Sequence, residues 1–137
     1  MARTRYDPSP DRQRLGQLQV EFAEILATFQ EHPPLVRGSL QTLRRRCGKT
    51  GCRCERSGGH ETFVFVDRSA RGRKIRKVAG EEQRRLRKLT GRYRELRNLR
   101  ARLSKLHVEI LECCDRLRDY RVGLGRKLLD SRKRRNT

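Results

Sequence analysis

The sequence predicts a mainly α protein with a small β part. A short N-terminal helix and a long C-terminal helix form an antiparallel hairpin or coiled coil, with a zinc knuckle and β-hairpin inserted at its tip. Three observations predict it. Apolar residues step by three and four along two stretches of very different length. A β-branched and aromatic run, Thr62-Phe-Val-Phe-Val66, lies between them. Three cysteines, a histidine and four glycines crowd into the fourteen residues from Cys47 to His60. Of the 137 residues 34% are hydrophobic and 38% charged, enough apolar material for a narrow helix–helix seam but not for a thick core.

Length suggests a single domain over residues 9–121 after a disordered start at 1–8. Ser9 is the expected N-cap of a helix over 9–31, with Pro10 at its first position and Asp11 at the positive dipole end. Leu15, Leu18, Phe22, Ile25 and Phe29 form its apolar stripe, and Pro33-Pro34 ends it. Knuckle and β-hairpin occupy 38–79, with strands near 62–66 and 73–78 and a third near 40–46. Phe63 and Phe65 share one strand face and are read as anchors of the sheet to the helices. A long helix over 81–121 follows, opened by Glu81-Glu82 and closed by Gly123 and Gly125. Its seam runs from Leu86 to Tyr120 and includes Cys113 as a small core residue. Residues 122–137 read as a basic disordered tail.

The knuckle has the spacing C-x4-C-x-C-x5-H. Zinc takes four soft or borderline ligands in a tetrahedron, so Cys47, Cys52, Cys54 and His60 are the candidate ligands. Gly48, Gly51, Gly58 and Gly59 supply the sharp turns such a wrap requires. His60 is the least defined of the four, a partner chain's residue being the alternative. Three reduced thiols, a local disulfide, or a redox pair of Cys52 and Cys54 activated by nearby arginines are the competing readings. Residues 1–14 are polar and charged, without a signal-peptide pattern, so a reducing cytoplasmic setting is expected.

Net charge is +20, and it is uneven: residues 1–31 contribute −1 and residues 32–60 contribute +6. A polyanion partner follows, nucleic acid rather than a membrane, with DNA ahead of RNA. Arg84, Arg85 and Lys88 stand in the first turns of a helix, where cations oppose the dipole, so a ligand explains them better than folding does. With Arg44, Arg45, Arg46, Lys49 and Arg53 they form the expected phosphate-binding set. A helix of 10–31 spans about 33 Å and one of 81–120 about 60 Å. The hairpin would therefore leave the far half of the long helix uncovered, and Leu106, Ile110 and Leu117 are the expected contact with a second copy or another protein.

Arg37-Gly-Ser-Leu40, the Cys-Gly-Lys-x-x-Cys-x-Cys run from Cys47 to Cys54, and Gly59-His60, followed by a strand pair and a long helix, carry a resemblance. Over roughly 37–120 the chain resembles a family of short bacterial proteins often encoded near insertion-sequence transposases. Glu61 stands where that family has a glycine after the histidine. The resemblance implies a place in mobile-element biology and no particular activity. The residues themselves point to a nucleic-acid-binding accessory protein. A structural coiled-coil adaptor for a transposase or other protein, or a thiol redox sensor, are the alternatives. An enzyme is not expected: no base–nucleophile arrangement is recognisable, and four protein ligands leave the metal no open position.

Overall fold

In the structure, a computed structural model describing residues 5–69 and 72–136, the element order is α1 (Ser9–Phe29), β1 (Gly38–Arg45), α2 (Cys54–Ser57), β2 (His60–Asp67), β3 (Lys74–Lys77) and α3 (Gly80–Arg135). The architecture is the predicted one: mostly helical, a short N-terminal helix, a long C-terminal helix and a small antiparallel sheet. The chain divides into two compact units, Met1–Glu31 with Leu99–Thr137, and His32–Asn98.

In the first unit Ser9 is already helical and Pro8 is the N-cap. The Asp7 carboxylate accepts the Ser9 amide at 2.9 Å, which moves the start one residue back from the expected cap. That amide bond holds the Asp7 carboxyl below the usual carboxylate range. The helix stops at Phe29, two residues short of the expected end. Tyr6 gives the segment before α1 a fixed place. Its hydroxyl donates to the Asp11 carboxylate and its ring lies 5.6 Å from that of Tyr120. The loose start expected for 1–8 therefore does not extend to Tyr6, while residues 1–4 lie outside the described residues.

α1 runs antiparallel to residues 99–116 of α3. Three ion pairs fix that register: Asp11 with Arg116 at 2.7 Å, Arg14 with Glu109 at 2.6 Å, and Glu21 with Arg102 at 2.6 Å. Between them Leu18, Ile25, Leu106 and Cys113 are buried, joined by Leu15, Phe22, Leu99, Leu103 and Ile110. This overturns the expected uncovered seam. Leu106 has no exposed surface and Ile110 packs against the same core, while Leu117 is half-buried. The reason is twofold: the acids of α1 find their arginines on the far half of α3, and the near half is engaged by the sheet.

α3 also runs past Gly123 and Gly125 to Arg135, so the expected disordered tail is helical through that residue. Each glycine costs a helix only about 1 kcal/mol. No proline follows to enforce a stop, and Arg132, Lys133, Arg134 and Arg135 in the last turn suit the negative dipole end.

In the second unit the sheet order is β1-β2-β3. β1 pairs with β2 from Gly38↔Asp67 to Arg45↔His60, and β2 with β3 from Val64↔Lys77 to Asp67↔Lys74. Phe65, Val78 and Leu86 form a small buried core, flanked by Val36, Leu40 and Phe63. The Arg76 guanidinium sits 5.6 Å above the Phe65 ring. Two backbone bonds tie the sheet region to its surroundings: Val78 N–H to Phe63 O at 3.0 Å, and Val36 N–H to Leu89 O at 3.3 Å. The phenylalanines are thus anchors of the sheet on α3, as their scarcity suggests.

Candidate metal centre

The knuckle fills the gap between two strand ends that are register partners, Arg45 and His60. β1 delivers the chain to Cys47 and the loop turns back through Cys52. The single turn α2, absent from the sequence reading, presents Cys54 as its first residue. The four knuckle glycines all adopt positive φ, as the turns require. Gly59, at φ +117°, is the most constrained: a Cβ there would lie 2.6 Å from the Arg45 carbonyl carbon. Only glycine lets the returning chain lie this close to β1 and set His60 at the start of β2.

The result brings the Sγ atoms of Cys47, Cys52 and Cys54 and a ring nitrogen of His60 within 4.8 Å of one another. Cys47 Sγ is 3.4 Å from Cys54 Sγ, and Cys52 Sγ is 3.3 Å from His60 Nε2. Around a tetrahedral zinc with bonds near 2.0–2.3 Å, neighbouring ligand atoms stand roughly 3.5–3.8 Å apart. The donor set therefore fits a metal ion after small adjustments. Cys54 is buried, Cys52 half-buried, and Cys47 and His60 exposed.

Electrostatics within the cluster also suit a cation. The Lys49 backbone N–H, then the Cys54 and Cys52 thiols, hold the Cys47 thiol below its usual range. Cys54 accepts the Cys47 amide at 3.5 Å, which favours its thiolate. Burial and the two neighbouring thiols outweigh that bond and push Cys54 up. One thiolate is easy to form here and a second is not, unless a positive ion joins them.

Among the described residues the cluster takes in no other cysteine or histidine. Cys113 is in the helical core, its thiol pushed up by burial, while Cys114, His32 and His107 are exposed. The basic set is exposed at every position. Arg44 and Arg45 end β1 on alternate faces, Arg53 is the N-cap of α2, and Arg84, Arg85 and Lys88 lie in the first turns of α3. α3 begins two residues after Val78, which bonds Phe63; three residues of strand, about 10 Å, separate Phe63 from His60. α3 therefore starts beside the middle of β2, and by Leu89, whose O accepts the Val36 amide, it has reached the end of the ladder away from the knuckle. Within the set, Arg44 stands 4.0 Å from Glu61 and Arg84 3.9 Å from Glu81; the remaining six make no ion pair among the described residues.

A second basic group escaped the sequence reading. Arg37, Arg68, Arg94 and Arg97 line one cleft with Gly38, Ser39, Thr90 and Tyr93. The spacing of Arg94 and Arg97 was a visible signal, but only the β1–β2 register brings Arg37 beside Arg68. Comparison of the chain with protein-family models, with curated proteins and with solved structures finds no match.

Proposed function

We propose that the chain is a nucleic-acid-binding accessory protein, gripping the phosphate backbone with a zinc-bound knuckle and the basic start of α3. The observation that carries this is the imbalance of the His32–Asn98 unit, where twenty Lys/Arg meet six Asp/Glu. Six of the eight candidate contacts lack an ion pair among the described residues. A surface of that kind gains little from folding and much from releasing the counterions of a polyanion. Zinc is the metal that three thiolates and an imidazole favour. Cys47, Cys52, Cys54 and His60 would hold it in a closed, structural site. Its role is to fix the loop that carries Arg46, Lys49 and Arg53, since sixty-odd residues build little core. Duplex DNA is the favoured ligand, and the family resemblance supports a mobile-element setting. No helix among the described residues is long and apolar enough to cross a membrane.

The test is binding against salt concentration. Engagement of about six to eight phosphates gives a log–log slope near −5 to −7 on duplex DNA. The triple variant Arg84→Gln, Arg85→Gln, Lys88→Gln should flatten it by about one unit per lost contact. Wild-type binding to DNA and RNA by that variant would overturn this reading and favour a protein adaptor.

A further inference from the structure

The knuckle is at one end of the β1–β2 ladder, and the arginine cleft is at the other. From His60 to Asp67 the strand covers seven steps, about 24 Å. At the far end Gly38 pairs with Asp67, and the Arg68 amide donates to Arg37 O at 3.0 Å, which sets these two arginines side by side. Opposite them, Thr90, Tyr93, Arg94 and Arg97 occupy one face of α3 at spacings of three, four and seven. The Val36 amide bond to Leu89 O holds the loop against that helix. Close approach is built in at Gly38, where a Cβ would lie 2.5 Å from Val66 O and 2.6 Å from the Phe65 ring.

These residues enclose a cleft of about 570 Å³, inside the range of roughly 300–1,000 Å³ of small-ligand sites. Its eight lining residues include four arginines and no carboxylate. None of the four guanidinium groups makes an ion pair among the described residues. The neighbouring carboxylate of Asp67 is turned to the Ser69 amide at 2.8 Å. The Ser39 hydroxyl, also in the lining, is buried without a hydrogen-bond partner among the described residues. A χ1 rotation would bring it to a ligand oxygen.

We propose that this cleft is a binding site for a phosphoryl anion carrying two or more negative charges, the diphosphate of a nucleotide or the terminal phosphate of a nucleic-acid strand. An internal phosphodiester carries a single charge and would leave most of four guanidinium groups unanswered. A phosphomonoester or diphosphate accepts paired N–H donors from several arginines at once, the geometry guanidinium serves best. Tyr93 adds a hydroxyl and a ring face beside the anion. The site is at the opposite end of the ladder from the knuckle part of the proposed polymer grip and does not depend on it.

The experiment is calorimetric titration of the full-length, metal-loaded chain with pyrophosphate at constant ionic strength. One saturable site per chain is expected. Arg94→Gln with Arg97→Gln should weaken it about tenfold or more, while Arg46→Gln with Lys49→Gln, at the knuckle end of the ladder, should leave it unchanged. Arg68→Gln, outside any helix or strand, gives the same reading if the helix pair disturbs folding. Absence of a saturable site, or equal binding by the Arg94/Arg97 and Arg68 variants, overturns the proposal. A second titration compares a 5′-phosphorylated with a 5′-hydroxyl oligonucleotide. A preference for the phosphorylated strand that the Arg94/Arg97 variant loses assigns the strand end. Pyrophosphate binding with no such preference assigns the free diphosphate.

Discussion

In the unit formed by Met1–Glu31 and Leu99–Thr137, sixteen Lys/Arg are set against ten Asp/Glu; in His32–Asn98, twenty are set against six. The arrangement differs more than the count. In the helical unit Asp11, Glu21 and Glu109 each take an arginine from the opposite helix, and the seam beneath buries Leu18 and Leu106 completely. The sheet unit buries Phe65, Val78 and Leu86 in one cluster, with Val64, Val66 and Cys54 also buried, and carries a metal-ligand cluster and two basic groups, most of them without an acidic partner among the described residues. The first unit satisfies its charges internally, whereas the second presents a metal-ligand cluster and arginines without acidic partners among the described residues, which on the proposed reading a cation and anions complete.

Removing the metal should separate the two units most. Metal-ligand sets of this type contribute folding free energy of about 10–16 kcal/mol in small zinc domains. Chelation, or Cys52→Ser, should therefore release the amides of His60–Asp67 to fast hydrogen exchange. Those of Leu99–Leu117 should stay protected, because Leu18, Ile25 and the ion pairs to α1 hold them within the helical unit. Uniform loss of protection in both units would break the comparison, and so would purified, reduced protein that contains no metal.

The converse experiment strikes the helical seam. Leu18→Ala removes a side chain with no exposed surface from a core of four buried residues. The expected cost is about 2–5 kcal/mol. Thermal or denaturant unfolding should show it as loss of the α1–α3 contact, with the metal content of the knuckle unchanged. Metal loss in this variant would mean that the units fold as one.

Much of this division could be read from the residues, and the rest is lost for physical reasons. Stepping of three and four marked both helices, the β-branched run marked β2, and ligand spacing marked the cluster that the fold brings within 4.8 Å. The register of α1 was not legible. The seam of α3 is apolar along its length, so hydrophobic period alone cannot choose between its halves. The choice falls to Asp11–Arg116 and Glu21–Arg102, pairs separated by 105 and 81 residues. The end of α3 was misread because Gly123 and Gly125 resemble a stop, yet two glycines cannot end a helix that has no better alternative for its backbone. The arginine cleft needed the strand register, because Arg37 and Arg68 are neighbours only across the ladder.

The smallest expected effect tests the self-sufficiency of the helical unit through one carboxylate. The Arg116 guanidinium, then the Tyr6 hydroxyl, hold the Asp11 carboxyl down at about 2. The same carboxylate, as acceptor of the phenol, pushes Tyr6 up to about 12. Two windows follow from linkage. Asp11 has a depressed folded value, so its contribution is complete above the ordinary carboxylate value of 3.8 and fades as pH falls towards about 2. Tyr6 has a raised folded value, so its contribution is complete below the ordinary phenol value of 10.0 and fades as pH rises towards about 12. Between the windows the helical unit should show a flat stability plateau. Asp11→Asn should lower that plateau and weaken the pH dependence at both edges, since one residue serves both bonds. The remaining acid slope would come from Asp7, Glu21 and Glu109, which the Ser9 amide, Arg102 and Arg14 respectively hold below the usual range. Thermal unfolding followed across pH on metal-free protein isolates this unit, and ultraviolet titration of the phenols reports Tyr6 directly. If Asp11→Asn alters the acid edge but leaves the Tyr6 titration untouched, the two groups are not coupled and the ion pair with Arg116 acts alone.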